Sequence, residues 1–175
     1  MTPSQPEPTA FGEALIAESK RRLSGESLPR MQKCVEQPTA EELWHRPNDA
    51  VVRGGNVVLH LCGNVRQWII SCLGGSEDAR VRDEEFSTEG PIPREHLLAQ
   101  LSDTLREAES VLDRMNPQTL LQPRRVQGQN ETGLSILVHV VEHFSYHTGQ
   151  ISLHVKLRKG LDLGYYAGMD LNAKG

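Results

Sequence analysis

His143-Phe144-Ser145-Tyr146-His147-Thr148-Gly149-Gln150 lies in the middle of an unbroken helical pattern that runs from about Thr132 to Lys159 and stops at Gly160. At about 3.6 residues per turn and 1.5 Å per residue, positions i and i+4 stack on one face roughly 6 Å apart along the axis, so two imidazoles at that spacing can share one divalent ion. With Val140 set at 0°, Leu137, Phe144, Ile151 and Val155 fall between about 20° and 60° and mark the inward stripe. His147 then lies near 340°, His143 near 300° and His139 near 260°, each an approximate angle on the same wheel. The pair His143/His147 therefore faces the interior better than the pair His139/His143.

Three further helical patterns precede this one. The first spans about Thr9 to Gln37, with Phe11, Leu15, Ile16, Leu23, Leu28, Met31 and Val35 turned inward; Pro29 inside it implies a kink or a division into two helices. Thr39, with Glu42 three residues on, reads as the capping box of a short helical turn ending at Trp44. His45 to Gly55 is a polar connector. The second long helix runs from about Asn56 to Leu73 and ends at Gly74-Gly75. Residues 76–91 are charged and irregular. The third long helix spans about Pro93 to Met115, its inward set running from Leu97 to Met115. Residues 116–131 read as a loop, long enough to be functional or to pack on a partner. No alternating run carries a strand signal, and no internal repeat is present.

The fold class that follows is all-α, a four-helix bundle. The expected organisation is a loose arm over residues 1–8, the bundle over 9–160 and a tail over 161–175 without a clear element.

Composition narrows the function. The chain has 175 residues and a formal net charge of −4, which gives no basic field for nucleic acid and no polybasic patch for a membrane. An aromatic share of 5% argues against a base-stacking platform. No apolar run approaches the ~18 residues of a membrane span. The N-terminus lacks a charged-then-apolar secretory pattern. Cys34, Cys62 and Cys72 are an odd set without C-x-x-C spacing and read as reduced, mostly buried thiols. The expected location is the cytoplasm.

His60, on the second long helix, is the third histidine of interest. The apolar stripe there contains Val58, Leu61, Cys62, Val65, Trp68, Ile69 and Cys72, whereas His60 aligns with Asn64, Gln67 and Ser71 on the other side. That polar stripe carries no charge. It suits a helix covered on several sides whose polar residues line a cleft, against the alternative of plain solvent exposure.

Leu59-His60-Leu61-Cys62-Gly63-Asn64, taken with His143-x3-His147-x-Gly149-Gln150, resembles the DinB/YfiT-like superfamily of metalloenzymes, and Leu43-Trp44-His45-Arg46-Pro47-Asn48 resembles that family's connector before its second helix. The resemblance covers about residues 8 to 160. It implies an up-down-down-up bundle, often a homodimer, in which one histidine of the second helix and two of the fourth bind a divalent metal. By position these are His60, His143 and His147. Thr148 stands where many members have Arg, and Glu142 where others have a neutral residue.

Three neutral imidazoles leave an ion its full charge and an open position, the pattern of catalytic sites. Histidine ligands suit zinc and nickel, and also copper and iron. Some members of the resembled superfamily are transferases that take a low-molecular-weight thiol as co-substrate. The first expectation is thus a metal-dependent thiol S-transferase acting on small electrophilic molecules. Asn64 and Gln150 are candidates to orient ligands or substrate. The second expectation is a non-catalytic metal-binding or regulatory bundle. A third comes from His139-Val140-Val141-Glu142-His143, which fits the H-x-x-E-H signature of an inverted zincin and would make the chain a hydrolase. Arg124 and Arg125 could meet an anionic co-substrate or form a solvated pair, and Cys62 could be a reactive thiol.

Overall fold

The structure is a computed structural model that describes residues 8–174. The expected arm therefore lies outside the described residues except for Pro8, which opens a helix. Helix α1 (Pro8–Lys20) continues through a widened π-helical segment (Arg21–Ser27) into α2 (Leu28–Glu36). The wide turn resolves the problem posed by Pro29. A proline ring crowds the carbonyl four residues back and offers no N–H. Just ahead of it the ladder steps to i→i+5 spacing, with the Leu28 N–H donating to the Leu23 carbonyl, so the chain stays helical instead of dividing.

Helix α3 (Ala40–Trp44) begins with the expected capping box between Thr39 and Glu42. Helix α4 (Gly54–Val65) also passes into a π segment (Arg66–Ser71). Helix α5 (Arg82–Ser87) is a short element within the charged stretch, and α6 (Arg94–Asp113) follows Pro93 at its N-cap. Helix α7 (Gly133–Lys159) runs for 27 residues. Thr132 and Ser135 form its capping box, and Lys156, Arg158 and Lys159 occupy its last turn, where cations oppose the helix dipole.

These helices make the architecture all-α. The first helix packs on α6 and α7, and α4 packs on the same two from the other side. The core between them contains Met31, Leu61, Ile69, Leu101, Leu137 and Phe144, all at most 2% exposed. Val140, Phe144, Ile151 and Val155 of α7 are buried as the helical wheel requires.

The region 116–131 departs from the expected loop. Strands β1 (Pro123–Val126) and β2 (Gln129–Thr132) form an antiparallel hairpin. Its turn places Gln127 at φ 52° and Gly128 at φ 77°, the two positive angles of a type I′ turn. Only Val126 is buried in either strand, so no apolar alternation announces them. The tail is also anchored. Leu163 is buried, and the Tyr165 hydroxyl lies 2.6 Å from Ser152 Oγ and 2.7 Å from Cys34 Sγ.

Candidate metal centre

The helical spacing brings His143 and His147 together on α7, with ring centroids 4.5 Å apart. Helix α4 contributes His60, whose ring lies 4.9 Å from that of His143 and 5.0 Å from that of His147. One ring nitrogen of each histidine lies within 4.8 Å of the other two. The Nε2 atoms of His60 and His143 are 2.9 Å apart. Among the described residues no other His, Cys, Asp or Glu belongs to this group.

His60 is 5% exposed, so its polar stripe is covered. The cover is the 76–91 segment. Glu85 Oε2 lies 2.8 Å from His60 Nδ1 and accepts its proton bond. Arg80 grips the same carboxylate with two N–H donors, at 2.6 Å to Oε1 and 2.9 Å to Oε2. Arg80 donates once more to Gln67 Oε1. Asn56 donates to the carbonyls of Glu85 and Thr88, which fixes α5 against α4. Phe86 covers the His60 ring at 4.9 Å. Arg80 Nη2 also lies 3.1 Å from His60 Nδ1, but an ionised carboxylate can only accept and is the nearer partner at 2.8 Å, so Nδ1 carries the proton and the His60 lone pair sits on Nε2, facing His143.

Gly63 makes this approach possible. A Cβ there would lie 1.8 Å from Glu85 Oε1 and 2.9 Å from Arg80 Nε. Any side chain would push the carboxylate out of its position.

His147 is supported differently. Its Nδ1 lies 2.7 Å from Gln150 Oε1 on the exposed side of α7. The amide oxygen holds the Nδ1 proton and leaves Nε2 as the lone-pair nitrogen.

The electrostatics favour neutral ligands. Burial, and after it the neighbouring His147 and His60, pushes the His143 pKa down to about 3. Burial also lowers that of His147, with the Gln150 bond acting in the opposite direction. Burial alone would raise the Glu85 carboxyl, but Arg80 and His60 outweigh it and hold the group below the ordinary carboxylate range. At neutral pH His143 and His147 are therefore uncharged, beside an ionised, clamped carboxylate.

The other candidates fall elsewhere. Asn64 is buried, but its Nδ2 faces His139 Nε2 at 3.3 Å rather than the three histidines, and its Oδ1 has no partner. His139 stacks on Trp68 with centroids 3.8 Å apart. Glu142 is exposed, in a surface groove with Arg22, Glu26 and Arg30. The H-x-x-E-H set is therefore not gathered around one point. Thr148 is buried and bonds the Phe144 carbonyl. Arg124 and Arg125 lie on β1. Burial pushes the Cys62 thiol up to about 12, which makes it inert as a nucleophile.

A family model described as a protein of unknown function, DUF1572, matches residues 11–164. The chain belongs to that family. DUF1572 is part of the DinB/YfiT-like superfamily, in agreement with the motif resemblance. Two solved structures share the fold of this DUF1572 chain. A DinB-like protein from Bacillus cereus is 16% identical with a TM-score of 0.63, covering 79% of this chain and 89% of its own. A conserved protein from Enterococcus faecalis is 16% identical with a TM-score of 0.64, covering 90% and 100%. At that identity the likeness is one of fold. No curated protein matches the chain. Among the described residues no helix is long and apolar enough to cross a membrane.

Arg80, Glu85 and Gly63 are the site residues that sequence reasoning missed. Arg80 and Glu85 sit in a stretch so dense in charge that it reads as solvated. The usable signal was the glycine. Gly63 lies in mid-helix beside His60, where glycine weakens the helix and therefore marks a close approach.

Proposed function

We propose that this protein binds one divalent metal ion through His60, His143 and His147 and works as a metal-dependent transferase. In this reading it joins a low-molecular-weight thiol to a small electrophile. The observation that carries the reading is the convergence of three imidazole nitrogens within 4.8 Å, two of them aimed by acceptors on the far side of their rings.

The donor set fits zinc or nickel. Three neutral nitrogens with no fourth protein group are typical of catalytic rather than structural sites. When bound, such an ion supplies Lewis acidity and lowers the pKa of a coordinated water or thiol.

The chain's own residues do the remaining work. Glu85 keeps the His60 proton on Nδ1, and Arg80 keeps Glu85 ionised. Gln150 keeps the His147 proton on Nδ1. Phe86 shields the His60 ring from water. Beside His147 opens a cleft of about 450 Å³ with mostly apolar walls, where an electrophile can be held near the centre. In the transfer itself, a sulfur–carbon bond forms as a bond of the electrophile breaks: that to a leaving group, the C–O bond of an epoxide or the π bond of an enone. The electron pair passes to the displaced group, the alkoxide or the enolate. The thiol proton passes to solvent, which protonates the alkoxide or enolate in turn. The superfamily resemblance supports a homodimer as the working form.

The test is an activity screen on protein purified without a polyhistidine tag and loaded with zinc or nickel in turn. Small thiols are offered with a panel containing an epoxide, an enone and a nitroaryl halide. Thiol consumption that requires the metal and disappears in His143→Ala is expected. Metal-loaded protein that consumes no thiol across the panel would overturn the transferase reading and leave a metal-binding regulatory bundle.

A further inference from the structure

The cleft beside His147 has the size of a small-molecule site, which typically spans roughly 300–1,000 Å³. Val51, Val57, Phe86 and Ile151 form much of its wall. Among the described residues no Asp, Glu, Lys or Arg lines it. A charged ligand seated there would lose hydration and gain no counter-charge. Its polar groups are His147, Gln150, His154 and Tyr146. Gln150 is already committed to His147 through its amide oxygen.

His154 lies seven residues beyond His147 on α7, about two turns along the same face. The Glu42 backbone lies beside its ring, and Nε2 is buried with no hydrogen-bond partner. Buried polar atoms without partners are rare and destabilising, and one on a residue that lines a cleft points to a ligand that completes it once the covering side chains shift. Burial holds the ring below the ordinary histidine pKa. The ring is therefore neutral at pH 7, with one nitrogen a donor and the other an acceptor; a proton held on the Glu42 side makes Nε2 the acceptor. The rim consists of exposed side chains, Leu153 and Leu157 among them, which are free to shift as a ligand seats.

We propose that this cleft takes an uncharged, largely apolar small molecule carrying one hydrogen-bond donor, and that His154 Nε2 is the acceptor that selects it. The proposal names the substrate class of the transferase reading and rests on it for its role in a reaction; binding in the cleft itself requires no metal. It assigns the cleft to the electrophile and not to an ionic thiol.

The test titrates three probes of one shape into the full chain, metal-free and zinc-loaded. 4-Propylphenol has a donor, 4-propylanisole has none, and 4-propylbenzoate is anionic. Nuclear magnetic resonance follows the Ile151 methyl groups and the His154 ring nitrogens. In the metal-free chain the phenol is expected to bind saturably and about tenfold more tightly than the anisole, the worth of one hydrogen bond, with the benzoate weakest. His154→Phe should bring the phenol down to the level of the anisole and leave the anisole unchanged. The wild-type Nε2 resonance should shift with the phenol and not with the anisole, a readout independent of how the variant folds. In the metal-free arm, equal binding of phenol and anisole, tightest binding of the benzoate, or no saturable binding would overturn the proposal; the last is what a second copy of the chain filling the cleft would produce. Because the metal-free arm stands alone, a chain that binds the phenol but no zinc would retain this inference while losing its assignment to a metal-dependent reaction.

Discussion

The two sides of the histidine cluster are built on different physics. On the α4 side, His60 is 5% exposed and its outer nitrogen meets an ionised carboxylate that a buried arginine grips with two bonds. On the α7 side, His147 is half-buried and its outer nitrogen meets a neutral, exposed amide. Water can replace Gln150 in that role. No neutral group can replace Glu85 without leaving the buried Arg80 guanidinium without a counter-charge. The α4 side is thus a fixed wall, and the α7 side, which opens on the cleft, is the adjustable one.

The sharpest way to break this contrast is through Gly63. Gly63→Ala places a methyl group on the Glu85 carboxylate. It should destabilise the protein by about 3 kcal/mol, the order expected when one partner of a buried ion pair is displaced, and lower the midpoint of thermal unfolding by roughly 6–12 °C. Unchanged calorimetry would mean that Glu85 is not held where the structure has it. Glu85→Gln keeps the shape and removes the charge. Zinc affinity measured by competition with a chelator should fall about 10–100-fold, the usual effect of losing a carboxylate behind a ligating histidine.

Titration of the metal-free protein separates the two sides by pH. His143 and His147 are depressed in the folded state, so the unfolded chain binds more protons below its ordinary histidine pKa of about 6.5. Their contribution is fully present above that pH and is lost on acidification toward the folded value, about 3 for His143. Glu85 is depressed as well, so its contribution is lost only once the pH falls below its ordinary carboxylate value. Stability followed by urea unfolding should therefore decline first between pH 6.5 and 5, each an approximate bound. His143→Ala should make that upper limb shallower, with His139, His147 and His154 supplying the remainder, and leave the carboxylate limb below it. A variant with an unaltered upper limb would contradict the assignment. The smallest effect belongs to Gln150→Ala. Water takes over the Nδ1 proton, and zinc affinity should fall only about threefold, read by the same competition assay. If Gln150→Ala matched Glu85→Gln, the two sides would be equivalent and the contrast would be lost.

Much of this was readable before any coordinates. Helix α7 was legible because its unbroken inward stripe and its terminal glycine agree. The helical wheel separated His143 and His147 from His139 for the same reason. His60 was legible from a stripe that was polar yet uncharged. The clamp was not. Arg80 and Glu85 differ in no local way from the charged residues around them, and only the fold reveals that these two are buried against each other. The hairpin was hidden by its composition, since strands that bury one side chain show no alternation. Asn64 reads in the sequence as a candidate to orient ligands or substrate; its side chain faces His139, and sequence does not reveal which of two neighbouring histidines an amide will face.

The central claim is tested most directly by counting metal. Untagged protein is dialysed against zinc, then analysed by elemental analysis alongside His60→Ala, His143→Ala, His147→Ala and His139→Ala. The account predicts one ion per chain in the wild type and in His139→Ala, and near none in the other three. Zinc retained by the three variants, or lost from His139→Ala alone, would contradict it.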